Sequence, residues 1–161
     1  MPISNVVLNA SPLICLCKSD LSGLLPKLFT NIVVSDAVRT EVTAKGSVDY
    51  NLGKIFTEAW LKNTGAIIIH PDIAAWGLGQ GEGSVLSYAF YNRSYWAVID
   101  DLEARRCAES MGCLYTGTVG ILMLAKKKGI ISSVRECIYR LRDAGLWLSA
   151  SFIEDICKMN E

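Results

Sequence analysis

The stretch Tyr95–Asp101 (YWAVIDD) constrains the fold of this chain more than any other feature. Five strand-forming residues, Tyr95–Ile99, lead directly into two carboxylates, and a helix-like segment, Leu102–Met111, follows at once. A short run that is apolar throughout is typical of a strand buried on both faces, which makes it the central strand of a sheet. Asp100 and Asp101 then fall where open α/β sheets place their ligand sites. Aspartate is also a common helix N-cap, so a purely structural role remains open for each.

Strand-forming runs alternate with helical patterns along the whole chain. Four further strands are predicted, at Ile3–Leu8, Asn31–Val34, Ala66–Ile69 and Cys113–Thr116. Three helices are predicted with an N-cap: one from Pro12 onward capped by Ser11, Asp36–Ala44 capped by Ser35, and Val119–Lys127 capped by Thr118. Further helices are predicted at Asp20–Phe29, Asp49–Asn63, Gly81–Tyr91, Leu102–Met111, Ser132–Ala144 and Ser149–Met159. This alternation predicts a single domain over residues 1–161, an α/β fold built as a three-layer α/β/α sandwich on a mainly parallel sheet of about five strands.

Composition narrows the classes of function. Sixteen basic and sixteen acidic residues give a formal net charge of zero, so contact with nucleic acid requires a local patch or bound metal ions. Six cysteines without a CxxC pair and a single histidine argue against a zinc site and are typical of a reducing compartment. No apolar run approaches the roughly 18 residues of a membrane span, and no signal peptide is recognisable. We therefore expect a cytoplasmic protein without membrane association.

Polar side chains from distant parts of the chain fall near predicted strand ends and in the helices beside them. They are Asn9, Glu41, Glu82, Asp100 and Asp101. Since the carboxyl ends of parallel strands meet at one edge, these groups are expected to share a pocket. Carboxylates without histidine or cysteine favour Mg²⁺ or Mn²⁺, ions that polarise phosphoryl oxygens and promote hydroxide formation in phosphodiester hydrolysis. Taken alone, Glu41 also fits a solvated helix position, and Glu82 fits a helix first turn.

Five patches in a fixed order carry a resemblance to a known family. They are VVLNASPLICLCK at Val6–Lys18, IVVSDAVRTEV at Ile32–Val42, LGQGEGSVLSYA at Leu78–Ala89, AVIDDLEARRCAESMG at Ala97–Gly112 and GTVGILMLAKKKGII at Gly117–Ile131. The chain resembles the PIN-domain proteins, small metal-dependent ribonucleases that include the VapC-like toxins of bacterial toxin–antitoxin pairs. It looks most similar to a prokaryotic PIN subfamily of largely unassigned role.

The resemblance implies a role for each matching residue. Glu41, Glu82 and Asp100 match the metal-binding and catalytic acids of the family, and Asp101 matches a fourth. Asn9 stands where PIN nucleases usually carry aspartate; an amide oxygen still coordinates Mg²⁺, but it brings no charge and cannot act as a base.

The resemblance also implies two pocket-edge residues and a set of partners. Thr118 matches a hydroxyl at the edge of the pocket, and Ser11 would orient the first-strand residue. The implied partners are RNA and an antitoxin-like protein. Independently of the resemblance, the apolar helices suit a homodimer or higher oligomer.

Two arginines follow the acidic pair. The guanidinium groups of Arg105 and Arg106 suit phosphate contacts. They are equally suited to pairing with Asp101, Glu103 or Glu109 about one helical turn away, and both interpretations remain open.

Three functions compete at this point. The first is a Mg²⁺- or Mn²⁺-dependent ribonuclease. The second is a PIN-derived module with little or no catalysis that binds RNA or a protein partner, which Asn9 and the zero net charge favour. The third, a receiver-like phosphoacceptor, requires its acidic pair after the first strand, whereas here the pair follows a late strand.

Overall fold

A five-stranded sheet forms the centre of the computed structural model, which describes residues 2–45 and 50–160. The strands are β1 (Asn5–Leu8), β2 (Asn31–Val34), β3 (Leu61–Asn63), β4 (Tyr95–Val98) and β5 (Tyr115–Thr116). Their order is β3-β2-β1-β4-β5, and every neighbouring pair is parallel. The sheet therefore extends from β1 to one side through β2 and to the other through β4, which places a topological switch point between β1 and β4.

Helices connect the strands and cover the sheet. They are α1 (Ala10–Lys18), α2 (Leu24–Leu28), α3 (Asp36–Lys45), α4 (Tyr50–Lys54), α5 (Pro71–Ala74), α6 (Gln80–Tyr91), α7 (Leu102–Ser110), α8 (Thr118–Lys127), α9 (Val134–Asp143) and α10 (Ala150–Met159), with a 3₁₀ turn at Ile55–Thr57. α6 packs on β1 and β4 and against α3, α5 and α7, whereas α8, α9 and α10 pack in series and α9 also contacts α1. The predicted α/β/α sandwich on a parallel sheet is confirmed.

The middle strand shows why both faces of the sheet must be covered. Val6, Val7 and Leu8 of β1 are all fully buried, although successive side chains of a strand point to opposite faces. Ala97 and Val98 of β4 are fully buried as well. The run Tyr95–Ile99 thus forms an interior strand. Its predicted position as the central strand was wrong, because β1 lies in the middle of the sheet and β4 beside it.

The region after α3 differs most from the prediction. The helix expected at Asp49–Asn63 is confined to α4 and the 3₁₀ turn, and β3 occupies its last three residues; Asp49 itself lies outside the described part. The strand expected at Ala66–Ile69 is not formed. Gly65, with a φ of +79°, turns the chain away from β2, and Ile68 is 84% exposed. The edge strand β3 therefore lies a few residues before the hydrophobic run Ala66–Ile69, which was predicted to form it.

The helix predicted at Asp20–Phe29 is reduced to α2, and Asp20 has a φ of +59°, which no right-handed helix accepts. Within residues 2–45 and 50–160, none of the helices combines the length and apolar character needed to cross a lipid bilayer.

Candidate functional site

The switch point brings the ends of β1, β4 and β5 together. Asn9 follows β1, and its N–H donates to the Val98 carbonyl at 3.1 Å. The Ile99 N–H donates to the Thr116 carbonyl at 2.9 Å, which fixes the residue before Asp100 beside β5. Asn9 and Asp100 therefore leave adjacent strands at the edge where α/β sheets bind ligands.

Asn9 occupies the N-cap position of α1. Its backbone is extended (φ −80°, ψ 162°), and its side chain makes no capping hydrogen bond although only 4% of the residue is exposed. The prediction of Ser11 as N-cap was wrong, because the chain turns from β1 directly into a helix that begins at Ala10. Ser11 is exposed at the second residue of α1, and no hydrogen bond joins its hydroxyl to Asn9 in the described part of the chain. The side-chain amide of Asn9 therefore caps none of the described helices and lies buried at this edge of the sheet.

Gly81, the second residue of α6, shows where that amide lies. A Cβ atom built on Gly81 would lie 3.6 Å from Asn9 Oδ1 and 3.2 Å from Glu41 Oε1. The two side-chain oxygens are therefore neighbours at the start of α6. A glycine here lets the helix approach them without a side chain between.

Glu82 follows in the first turn of α6 and is half-buried. Burial raises the pKa of its carboxyl above the usual glutamate value, and the negative charges of Asp101 and Glu41 raise the pKa further. Three predicted acids therefore interact electrostatically: Glu41 of α3, Glu82 of α6 and Asp101 at the start of α7. Such mutual repulsion disfavours the ionised form of Glu82 and is relieved by a bound cation.

Asp100 is fixed by the start of α8. Its Oδ1 accepts from the Thr118 N–H at 2.8 Å, and its Oδ2 accepts from Thr118 Oγ1 at 2.5 Å. Thr118 is fully buried, and Gly117, not Thr118, is the N-cap of α8. The predicted capping role of Thr118 was therefore wrong, because its hydroxyl orients Asp100 instead. A carboxylate at this position is also favoured by the α8 dipole.

Asp101 has a different environment from its neighbour. It is exposed and is the N-cap of α7, with Oδ2 accepting from the Ala104 N–H at 3.0 Å. Its charge nevertheless acts on Glu82. Of the two adjacent aspartates, Asp100 is thus held by the start of α8. Asp101 caps α7 and also acts electrostatically on Glu82.

The two arginines separate in the same way. Arg105 Nε donates to the Ile99 carbonyl at 3.2 Å, and its Nη2 lies 3.7 Å from Asp100 Oδ1. Arg106 points away and pairs with Glu103 at 2.7 Å, where both side chains are more than half exposed. The structure therefore brings Arg105 to the predicted site and places Arg106 in a surface ion pair.

A cleft of about 410 Å³ opens beside Asp100 and Arg105. Its other walls come from β5, α8, α10 and the segment before α10, and they include Tyr115, Trp147 and Phe152. Sequence reasoning did not single out Trp147 or Phe152. Both lie more than forty residues from Asp100 in the chain, and only the tertiary fold places them beside it.

The donor set fits Mg²⁺ or Mn²⁺ in its chemistry but is not a closed coordination group. The predicted donors at this edge are carboxylate and amide oxygens, which hard cations prefer. In residues 2–45 and 50–160, however, no three histidine, cysteine or carboxylate side chains lie close enough together to hold a metal ion. Coordination by the full set would therefore require the acids to move toward one another.

Comparison with known proteins gives one family. A family model described as a PIN domain matches residues 5–161, almost the whole chain. No curated protein and no solved structure matches it significantly.

Proposed function

Because the chain belongs to the PIN-domain family, we propose that it is a metal-dependent ribonuclease that hydrolyses phosphodiester bonds of RNA. The family supports a nuclease-type fold. The observation that carries the proposal further is that Asn9 lies with the acids of α3 and α6 and with the aspartates that follow β4 at the switch point. This is the edge where a parallel sheet binds its ligand.

Five side chains would hold the metal in this proposal: Asn9, Glu41, Glu82, Asp100 and Asp101. A bound Mg²⁺ or Mn²⁺ supplies a Lewis acid for the phosphoryl oxygen and lowers the pKa of coordinated water. The four carboxylates are the catalytic residues. Asn9 contributes an oxygen without charge, which reduces repulsion but also reduces attraction for the cation.

The residues around the acids have supporting roles. Thr118 is a positioning residue that holds both oxygens of Asp100. Arg105 presents a guanidinium beside the same carboxylate, where it would contact an RNA phosphate through paired N–H groups. Ser11, at the exposed start of α1, and Arg106, in its surface ion pair, are placed only at the periphery.

The finer parts of the proposal have different sources. A toxin role and an antitoxin-like protein partner follow from the resemblance to PIN-domain toxins. A single domain over residues 1–161 and a cytoplasmic location follow from the sequence pattern and composition, and self-association into a dimer or higher oligomer follows from the apolar helices. Co-purification of a partner tests the antitoxin-like protein, and the mass of the purified protein in solution tests the self-association.

The decisive experiment is cleavage of a mixed single-stranded RNA pool in Mn²⁺, in Mg²⁺ and in EDTA. Wild-type protein is expected to cleave in at least one metal and not in EDTA, and Asp100→Asn is expected to abolish cleavage. Asp143→Asn is a matched control, since its side chain is 71% exposed and lies in α9. Absence of cleavage by folded wild-type protein in both metals would overturn the proposal.

A binding module with weak catalysis is the second candidate. Asn9 and the open arrangement of the acids favour it. Such a module is expected to bind RNA equally well with and without Mn²⁺, and Mn²⁺ would not raise its melting temperature. A nuclease is expected to be stabilised by Mn²⁺ through the acids, and Asp100→Asn is expected to remove that stabilisation.

A further inference from the structure

The cleft beside Asp100 has the size and shape of a ligand site. Its volume of about 410 Å³ lies within the range of about 300–1,000 Å³ that is typical of small-molecule pockets. Asp100 and Arg105 are the charged residues among those that line it. Apolar side chains provide most of the remaining wall: Tyr115, Val119, Met123, Leu146, Trp147, Leu148, Phe152 and Ile156. The cleft therefore combines one charged end with a largely apolar surface.

Trp147 is the most unusual residue in this wall. It is 85% exposed, and the neighbouring Phe152 is 41% exposed. Large apolar side chains left open to water inside a concave surface indicate a binding site more often than a scattered surface residue does. Aromatic rings such as indole also stack on other flat rings and are enriched at binding interfaces.

The backbone that carries Trp147 is fixed on both sides. Before it, the Leu146 N–H donates to the Leu141 carbonyl at 3.0 Å, and Gly145 has a φ of +112° that few other residues adopt. After it, Ser149 caps α10 by accepting from the Phe152 N–H at 3.1 Å. Trp147 is thus an exposed ring on an anchored turn, which lowers the entropic cost of using it as a contact.

The charged end selects the kind of ligand. The Arg105 side chain is 35% exposed, is held by the Ile99 carbonyl, and lies with Cζ 5.6 Å from the Tyr115 ring centroid. A ligand that suits this cleft has a flat apolar face for the rings and a negative group for the guanidinium. Asp100 belongs both to the cleft and to the proposed catalytic acids, so the two sites are continuous.

We propose that this cleft binds a nucleobase of single-stranded RNA next to the phosphate to be cleaved, with Trp147 as the stacking surface and Arg105 contacting the adjoining phosphate. The inference rests on the proposed function, because it makes the cleft the substrate subsite of the same active site. A single strand is required, since bases stacked in a duplex cannot present their faces to an aromatic side chain. Stacking of this kind tolerates any base.

The test is equilibrium binding in EDTA, so that no cleavage is needed to observe it. The probes are a fluorescein-labelled single-stranded oligoribonucleotide and the same sugar–phosphate backbone with abasic sites, followed by fluorescence anisotropy. Trp147→Ala is expected to weaken binding of the normal strand about tenfold, and Trp147→Phe is expected to keep most of the affinity. Trp76→Ala is the matched control, because Trp76 is also exposed, at 37%, but does not line the cleft.

The abasic strand separates stacking from loss of structure. It is expected to bind the wild-type protein and Trp147→Ala equally weakly. The inference would be overturned if wild type and Trp147→Ala bound the normal strand with equal affinity. It would also be overturned if Trp147→Ala weakened binding of the abasic strand as much as binding of the normal strand. If Trp147→Ala instead changes the oligomeric state in light scattering and leaves RNA affinity unchanged, a second copy covers this face and the inference fails.

The nuclease proposal and the subsite proposal can be refuted independently of each other. Base-dependent binding through Trp147 without metal-dependent cleavage would support the subsite and remove the nuclease. Metal-dependent cleavage with no effect of Trp147→Ala on binding or on the Michaelis constant would support the nuclease and remove the subsite.

Discussion

Replacing Thr118 with valine tests the hydrogen bond that orients Asp100. The variant loses the Oγ1 bond to Asp100 Oδ2, which is 2.5 Å long, and keeps the backbone N–H bond to Oδ1 at 2.8 Å. A hydrogen bond to a charged group stabilises a protein by about 1.5–3 kcal/mol. The Asp100 side chain is 18% exposed, so water replaces part of the lost bond and the lower value, about 1.5 kcal/mol, applies. For a chain of this length the melting temperature is expected to fall by about 3–6 °C.

A double-mutant cycle isolates this bond from other effects of the substitution. Thr118→Val and Asp100→Ala are measured by denaturant unfolding, singly and together, and their coupling energy is expected to be about 1.5 kcal/mol. The control cycle pairs Thr118→Val with Asp101→Ala, because Asp101 directs its carboxylate to the Ala104 N–H instead. That coupling is expected to be close to zero. A coupling between Thr118 and Asp100 below about 0.5 kcal/mol would refute the assignment of Thr118 as the residue that holds Asp100.

Three other substitutions test the electrostatics and packing around the site. Glu82→Gln is expected to raise the melting temperature in EDTA at about pH 7. Burial and neighbouring carboxylates raise the pKa of Glu82, so the wild-type protein loses stability as pH rises above the ordinary glutamate pKa and the carboxyl ionises, whereas glutamine stays neutral. The gain should vanish near about pH 4, and no gain at neutral pH would contradict the argument. Gly117→Ala places a Cβ where the Arg105 guanidinium lies, so RNA affinity is expected to fall about tenfold with unchanged circular dichroism, whereas Gly23→Ala, with open space around its Cβ, should have no effect. Burial raises the pKa of Cys107 to about 11, so unfolding free energy is expected to fall as pH rises from about 9 to about 11, and to fall less in Cys107→Ala when the two are compared by denaturant titration.

The interior strands of the fold could be predicted because burial on both faces leaves a strong sequence signal. β1, β2 and β4 are mostly apolar, although β1 and β2 each begin with an asparagine, and each strand was predicted to within two residues. β3 could not be found in this way, because Leu61-Lys62-Asn63 has one buried and two exposed residues. An edge strand gains its hydrogen bonds from one neighbour and needs little apolar surface. The more hydrophobic run nearby, with Ile68 exposed, drew the prediction away from it.

The positions of Asn9 and Asp100 at one edge of the sheet could be predicted, but the hydrogen-bond partners of the side-chain oxygens could not. The parallel sheet explains why Asn9 and Asp100 meet, since topology alone brings strand ends to one edge. The hydroxyls behaved differently: Ser11 and Thr118 both fitted the rule for helix caps, yet each helix begins one or two residues away from the predicted position. A local rule cannot anticipate that a carboxylate eighteen residues away will take the Thr118 hydroxyl.

In the proposed metal site, Asn9 would affect stability without metal and affinity for metal in opposite directions. Its side chain is almost completely buried and lies beside a Glu41 oxygen, in a region where Glu82 is already pushed toward its neutral form. An aspartate at position 9 would add a further buried negative charge, which is costly unless a cation is bound. Asparagine provides a similar oxygen without that cost, so the metal-free chain folds with less repulsion among its acids. In the proposed metal site, the same neutrality would remove part of the attraction for Mg²⁺ or Mn²⁺, and the remaining affinity would come from Glu41, Glu82 and the two aspartates after β4.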